Sequence, residues 1–318
     1  MSNNGEDGDQ EEPKNFLKQE TITENLSQID TTSGSETCVF TTLVAEEKEV
    51  EVLGDDIKSY VHLRNINLNK NQLRSISELG ELNDLLILNA VENQIEDISF
   101  LSQNVNQHLQ ILNLSQNKIK SLPAISAPML KHLILNENEI ESCAGFTGHQ
   151  TLTILELRKN KLGNCDGLGN MPDLKELYLA ENPLVSIGQL HTLPSLIKLH
   201  IRGCEIEKFE EFPDLPQLEY FNLRETKIAT VEDVKKVEVL ENLIILNLLG
   251  TPIADDLGDG IKKELILLLP DLYLEKVNKE ALTAEDHQEA EELKQERIKE
   301  EEEKKRAAEA EGEEKPDE

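Results

Sequence analysis

Three arginines recur at one offset in three similar stretches: Arg158 in LELRKNKL (155–162), Arg202 in LHIRGCEI (199–206) and Arg224 in FNLRETKI (221–228). A guanidinium is a planar fork of donors that matches carboxylates and stacks on rings, so a row of them suits recognition more than bond-making. The surrounding chain is acidic, with 63 acids against 32 bases and a net charge of -31. Other chemistry is not patterned. The seven histidines show no metal-ligand spacing, no phosphate-binding glycine loop follows a strand, and abundant Asp and Glu do not make a paired acid and base. No catalytic residue, metal site, cofactor or small-molecule substrate is expected.

The acid surplus also argues against a nucleic-acid backbone or an anionic membrane as partner. No apolar run approaches a membrane span, and the opening MSNNGEDGDQEEPKNF lacks the charged and apolar regions of a signal peptide. Four scattered cysteines fit a reducing, intracellular compartment. Cys143 and Cys165 stand 22 residues apart at equivalent positions. They can lie within disulfide range, or serve as small buried hydrophobes.

The elements that position the arginines come from a repeat. The pattern L-x-x-L-x-L-x-x-N-x-I/L begins at Leu63, Leu85, Leu109, Leu130, Leu152, Leu174, Leu196, Leu218 and Leu243, mostly at 22-residue steps. Its polar position reads Asn71, Asn93, Asn117, Asn138, Asn160, Asn182, Cys204, Thr226 and Thr251. This is the leucine-rich-repeat signature. The L-x-L core makes a short strand with alternate residues inward, and the asparagine satisfies backbone groups where the chain turns away. Threonine offers fewer hydrogen bonds, so the last repeats are expected to be looser there. Prolines 128, 172, 194, 216 and 270 each stand two residues before a leucine, where they end the return segment.

The expected fold is an α/β leucine-rich-repeat solenoid: a curved parallel sheet on the concave face, short helical or 3-10 returns on the convex face, and a charged C-terminal helix. Residues 1–56 hold 15 acids against 3 bases and residues 275–318 hold 18 against 9, so the ends read as solvated tails. The expected divisions are a disordered acidic leader over 1–40, an N-terminal cap over 41–60 and nine repeats over 61–253. A C-terminal cap over 254–278, a charged helical arm over 279–310 and a disordered tail over 311–318 follow. The cap draws on Leu257, Ile261, Leu265 and Leu268 at helical spacing and closes in a final strand with Leu272 and Leu274. The arm opens on a capping box, Thr283 to Asp286, and carries Glu300–Lys304, Glu301–Lys305 and Glu302–Arg306 pairs. It is either a solvated helix or one that docks along a partner.

In such arrays the outward strand face is the usual binding surface. One outward column ends Arg158, Ala180, Arg202, Arg224, Leu249, and the neighbouring columns place Tyr178, Lys198, His200 and Tyr220 beside it. Arg158, Tyr178, Lys198, His200, Arg202, Tyr220 and Arg224 are therefore the candidate protein-binding residues. Three uses stay open: pairing with Glu156, Glu176, Glu181 and Glu225 next door, binding a protein or peptide, or receiving the chain's own acidic tail.

The stretches SYVHLRNINLNKNQL (59–73), MPDLKELYLAENPL (171–184) and LPSLIKLHIRGCEI (193–206), with the arginine-bearing stretches above, resemble the leucine-rich repeat-containing protein 23 family, a radial-spoke component of motile cilia. The resemblance spans roughly residues 44 to 305; the Cys and Thr at late ladder positions and a shorter leader depart from it. It implies a non-catalytic scaffold in the cytoskeleton of the ciliary axoneme, bound to other radial-spoke proteins in a large complex. A regulatory subunit of a protein phosphatase, and a dynein-arm or other axonemal adaptor, are the alternatives.

Overall fold

The computed structural model describes residues 15–31, 37–103 and 106–313, with side chains described to 306. The chain folds as two compact units, one of residues up to 162 together with 166–173, the other of 163–165 and the residues from 174 onward.

In the first unit a short helix α1 (Gln19–Glu24) leads into strands β1 (Leu26–Thr31) and β2 (Cys38–Val44), which form an antiparallel hairpin. From β2 the ladder is parallel through β3 (Asn65–Asn67), β4 (Ile87–Asn89), β5 (Ile111–Asn113), β6 (His132–Ile134) and β7 (Ile154–Glu156). The repeat strands are three residues long because only the L-x-L core alternates. Their central residues Ile66, Leu88, Leu112, Leu133 and Leu155 are at most 2% exposed, while both flanking residues face outward, half-buried. Residues pair one for one from repeat to repeat, as in Ile87↔Ile111↔His132↔Ile154, so equivalent side chains form straight columns.

The asparagines do what the pattern asks of them. Asn117 donates from Nδ2 to the carbonyls of Ala90, Leu114 and Ser115, and its Oδ1 accepts from the Ile95 N–H at 3.0 Å. The residue before each is in the left-handed region: Lys70, Glu92, Gln116, Glu137 and Lys159 have φ between 53° and 57°. That turn swings the asparagine beneath the strand. Its residue type varies between Lys, Glu and Gln, so the consensus does not reveal it.

The second unit continues the theme with β8 (Glu176–Tyr178), β9 (Lys198–His200), β10 (Tyr220–Asn222), β11 (Ile245–Asn247) and β12 (Lys276–Val277) in parallel, and β13 (Glu280–Ala281) antiparallel at the edge. Its helices are α2 (Val231–Val234), α3 (Pro252–Leu257), α4 (Ile261–Leu268) and α5 (Ala284–Glu313). Thr226 bonds through Oγ1 to the Leu223 carbonyl at 2.7 Å, and Cys204 through Sγ to the Leu179 carbonyl at 3.4 Å. Thr251 bonds to the Leu248 carbonyl at 2.6 Å and also accepts from Ala254 N, capping α3. The threonines make fewer bonds than asparagine, and both are buried, Thr226 at 2% and Thr251 at 0% exposure. All four cysteines are free, with Cys38 exposed and Cys143, Cys165 and Cys204 buried. Burial pushes the Cys143 thiol up to about 12 and Cys204 to about 11, so both stay protonated and unreactive at neutral pH.

Both ends differ from expectation. The leader over 1–40 is not disordered throughout: residues 15–31 form α1 and β1, with Leu17 and Ile22 buried. The Leu17 N–H bonds to the Val52 carbonyl at 2.9 Å, and α1 packs on the 3-10 turn Asp55–Ser59. A few apolar residues spread among acids suffice to cover Leu53 and Ile57, and average composition hides them. The rest of the leader, 1–14 and 32–36, lies outside the described residues. At the other end the parallel ladder closes on Lys276–Val277 rather than on Leu272 and Leu274, with Val277 supplying the buried side chain, and β13 follows it. The arm starts at the expected box, with Thr283 N–H to Asp286 Oδ2 at 2.7 Å and Asp286 N–H to Thr283 Oγ1 at 3.2 Å. It is not simply solvated: α5 packs on α4 through buried Ala290, with Lys263–Glu289 at 2.9 Å and Arg297–Glu264 at 2.5 Å. Residues 311–313 belong to this helix, and the remaining tail, 314–318, lies outside the described residues.

One buried histidine sets a pH dependence. His149 is 7% exposed, and its Nε2 bonds to the Ala127 carbonyl at 3.0 Å. Its Nδ1 is enclosed with no hydrogen-bond partner among the described residues. Desolvation holds its pKa below the ordinary imidazole value, so the unfolded chain binds this proton more readily than the folded one. Its contribution is complete above about pH 6.5 and is lost as pH falls through the lower folded value. Urea unfolding at neutral and mildly acidic pH is expected to show wild type losing more stability on acidification than His149→Leu. Parallel losses would contradict the assignment.

Candidate protein-binding face

The outward strand positions hold the candidate residues, one in the first unit and six in the second. Arg158 belongs to the first unit. Its Nη1 lies 2.7 Å from Glu156 Oε2, and Glu156 also meets His132 Nε2 at 3.0 Å and Asn136 Nδ2 at 2.8 Å. His132 foremost, with Asn136 and Arg158, holds the Glu156 carboxyl below its usual range. Arg158 is thus one donor of three closing on a carboxylate.

The other six, Tyr178, Lys198, His200, Arg202, Tyr220 and Arg224, stand together on β8–β10 and the residues just after them in the second unit. The Tyr178 hydroxyl and Lys198 Nζ, the latter at 2.9 Å, both donate to Glu176 and hold its carboxyl low. The rings then stack in sequence: Tyr178 on His200 at 4.4 Å between centroids, and His200 on Tyr220 at 5.0 Å, with interplanar angles of 28° and 30°. Asn222 Nδ2 lies 3.3 Å from His200 Nδ1. With the amide as donor, Nδ1 is the acceptor. Such a stack is rigid and half-exposed, offering apolar faces with polar edges.

Beside it, Arg202 Nε contacts Glu225 Oε2 at 2.9 Å and Arg224 Nη2 contacts Glu225 Oε1 at 3.6 Å. Two guanidinium groups from adjacent strands share one carboxylate. The Arg224 Nε is itself enclosed with no hydrogen-bond partner among the described residues. An unpaired enclosed donor costs stability, roughly 1–3 kcal/mol, so the fold gains little from an arginine here. Leu249, 41% exposed, takes the next place in the column. Lys198, Arg202 and Arg224 face Glu176, Glu181 and Glu225, making the patch nearly neutral in a chain of net charge -31. The expected pairing with neighbouring glutamates is therefore present, and the cations are held in place rather than bare. Glu225 was among the glutamates expected to pair with these arginines; Asn222 as the ring's anchor, a contact 22 residues apart, was not read from the columns.

Among the described residues no group of three or more His, Cys, Asp or Glu is placed to hold a metal ion, and no helix is long and apolar enough to cross a membrane.

A regular ladder of three-residue strands, polar residues turned beneath it and an outward face of rings and cations define a leucine-rich-repeat protein, a class whose usual work is protein interaction. A family model described as Leucine Rich repeat matches residues 105–121. The sequence is similar to leucine-rich repeat-containing protein 23 of Bos taurus, 32% identical over 98 residues, and to that of Homo sapiens, 31% identical over 98 residues. Each match takes in 31% of this chain and only 28% of the relative's length. The family to which the sequence stretches pointed is the one these relatives name. Among solved structures, the LRIM1/APL1C complex aligns at TM-score 0.52 and 17% identity, over 80% of this chain and 52% of that one, a likeness of fold alone.

Proposed function

We propose that this protein is a non-catalytic scaffold that binds another protein through the β8–β10 face, and that it works as a radial-spoke component of the ciliary axoneme. The observation that carries the first part is the Tyr178–His200–Tyr220 stack flanked by Arg202 and Arg224 on one carboxylate. Tyrosine and arginine are the types that dominate interface energies, and here they are preordered, so binding loses little side-chain freedom. An enclosed Arg224 donor that does not help the fold is in keeping with a residue retained for recognition. The second part rests on the likeness to leucine-rich repeat-containing protein 23, which the sequence resemblance ties to radial spokes. Other spoke proteins are the proposed partners, and the axoneme the proposed location.

Two measurements test this. Tagged wild type in ciliated cells is expected in the axoneme at the spoke repeat. A cytosolic or nuclear signal absent from axonemes, or co-purification with a phosphatase catalytic subunit, would overturn the ciliary assignment. Cross-linking mass spectrometry of isolated axonemes is expected to recover cross-links from Lys198 to spoke subunits. The double variant Arg202→Glu, Arg224→Glu is expected to lower that recovery by about tenfold or more, as loss of interface anchors does. The Arg202 and Glu225 side chains are each 43% exposed, and exposed pairs contribute about 0–1 kcal/mol, so Arg202→Glu alone is expected to keep its thermal stability within a few degrees. Arg224→Leu is expected to be as stable as wild type while losing partner. Undiminished assembly in both variants would remove the face from the proposal.

A further inference from the structure

The C-terminal end of the second unit carries an open trough of about 610 Å³ between α5 and the segment 266–274 that leads out of α4. From α5 come His287, Glu291, Lys294, Ile298 and Glu301, at steps of three or four residues, so one helix face lines it for about 21 Å at 1.5 Å per residue. The opposite wall is apolar: Ile266, Leu267, Leu272 and Leu282 are half-exposed into it, over a floor that includes buried Leu269 and Leu274. Ile298 is 42% exposed at the rim. Apolar surface of this extent at the end of a repeat array invites a covering element.

We propose that this trough receives an amphipathic helix from a partner protein, apolar on one face and flanked by lysines or arginines. A helix of about four turns matches the length of the lined face and meets the wall with anchors at i, i+3 or i+4, and i+7. Residues 1–14, 32–36, 104–105 and 307–318 contain only Met1 and Val105 as large apolar residues, too few to cover such a wall. Charge decides the flanks. The rim cations are already engaged, Lys294 with Glu291 at 3.8 Å and Arg297 with Glu264 at 2.5 Å. Glu301 makes no ion pair among the described residues, and residues 284–306 hold 10 acids against 6 bases. A second copy of this chain would bring the same acidic helix and be repelled; a basic-flanked helix is drawn in. This site is separate from the β8–β10 face and does not depend on the reading given for it.

The test uses the full chain and two labelled synthetic helices of four turns with the same leucine face, one flanked by lysines and one by glutamates, in fluorescence anisotropy at physiological salt. The lysine-flanked helix is expected to bind at least about tenfold more tightly than its counterpart. Leu267→Glu and Ile298→Glu are expected to weaken it by about tenfold or more, whereas Val239→Glu, an exposed apolar position that does not line the trough, leaves it unchanged. Equal binding of the two helices, or equal effects of all three variants, would overturn the proposal. So would sedimentation showing that wild type self-associates and that Ile298→Glu alone makes it monomeric, because the occupant would then be a second copy.

Discussion

Gly167→Ala is expected to destabilise the first unit by about 4 kcal/mol or more, through strain at a special backbone conformation joined to a steric clash. Gly167 has φ +85°, a region that disfavours every residue with a Cβ. A Cβ built there would lie 1.9 Å from the Cys143 carbonyl oxygen and 2.9 Å from that of Phe146. Both are backbone atoms of a neighbouring coil and cannot swing aside as a long side chain would. Relief requires the coil at Cys143 to move, and Cys143 and Phe146 are each 1% exposed. Gly163→Ala is the control: a Cβ there meets nothing within 4 Å and its φ is not positive. Urea unfolding is expected to place Gly163→Ala within about 0.5 kcal/mol of wild type and Gly167→Ala far below, or unfolded at the start. Similar stabilities for the two variants would show that the coil at Cys143 is not where the structure puts it.

The second large effect is at the polar ladder. Asn117→Leu is expected to cost about 3–5 kcal/mol, because it strands buried backbone groups that no water can reach. The Ile95 N–H loses its acceptor, and the Ala90 carbonyl loses the Nδ2 donor at 2.9 Å. The Leu114 carbonyl keeps a second donor, Asn138 Nδ2, and the Ser115 carbonyl keeps the Glu92 N–H, so these two suffer less. Asn117→Thr is expected to fall between, since a threonine hydroxyl at this place bonds back to the carbonyl three residues earlier, as Thr226 does to Leu223. Denaturant titration should rank wild type above Asn117→Thr above Asn117→Leu. An Asn117→Leu protein as stable as wild type would mean that the asparagine is decorative.

The repeat architecture was legible because the coils solve one burial problem with few residue types: an apolar residue, mostly leucine, inward at the strand, and an asparagine under the turn in the first six repeats. Equal spacing then places equal residues in one column, which is why Tyr178, Lys198, His200, Arg202, Tyr220 and Arg224 could be grouped before any coordinates. What they touch was not legible. Whether Arg202 points to solvent or to Glu225, and whether three rings stack, depends on side chains meeting between strands in a crowded plane. Arg158 shared the column in the repeat alignment, and its guanidinium closes on Glu156, two residues before it in the first unit.

The ends show the same division. Outside the repeats no period averages over errors, so a charged composition outweighed Leu17 and Ile22, and α1 and β1 went unread. The trough by α5 was hidden more deeply, because its apolar wall joins the end of α4 (Ile266, Leu267) to Leu272 in the following loop and to Leu282, residues that no single period links. Local pattern and period follow from each residue's own preference for water or core, and those preferences are written along the chain. Grooves, shared carboxylates and the clash awaiting a methyl group at Gly167 belong to pairs of atoms distant in sequence, and folding alone brings such pairs together.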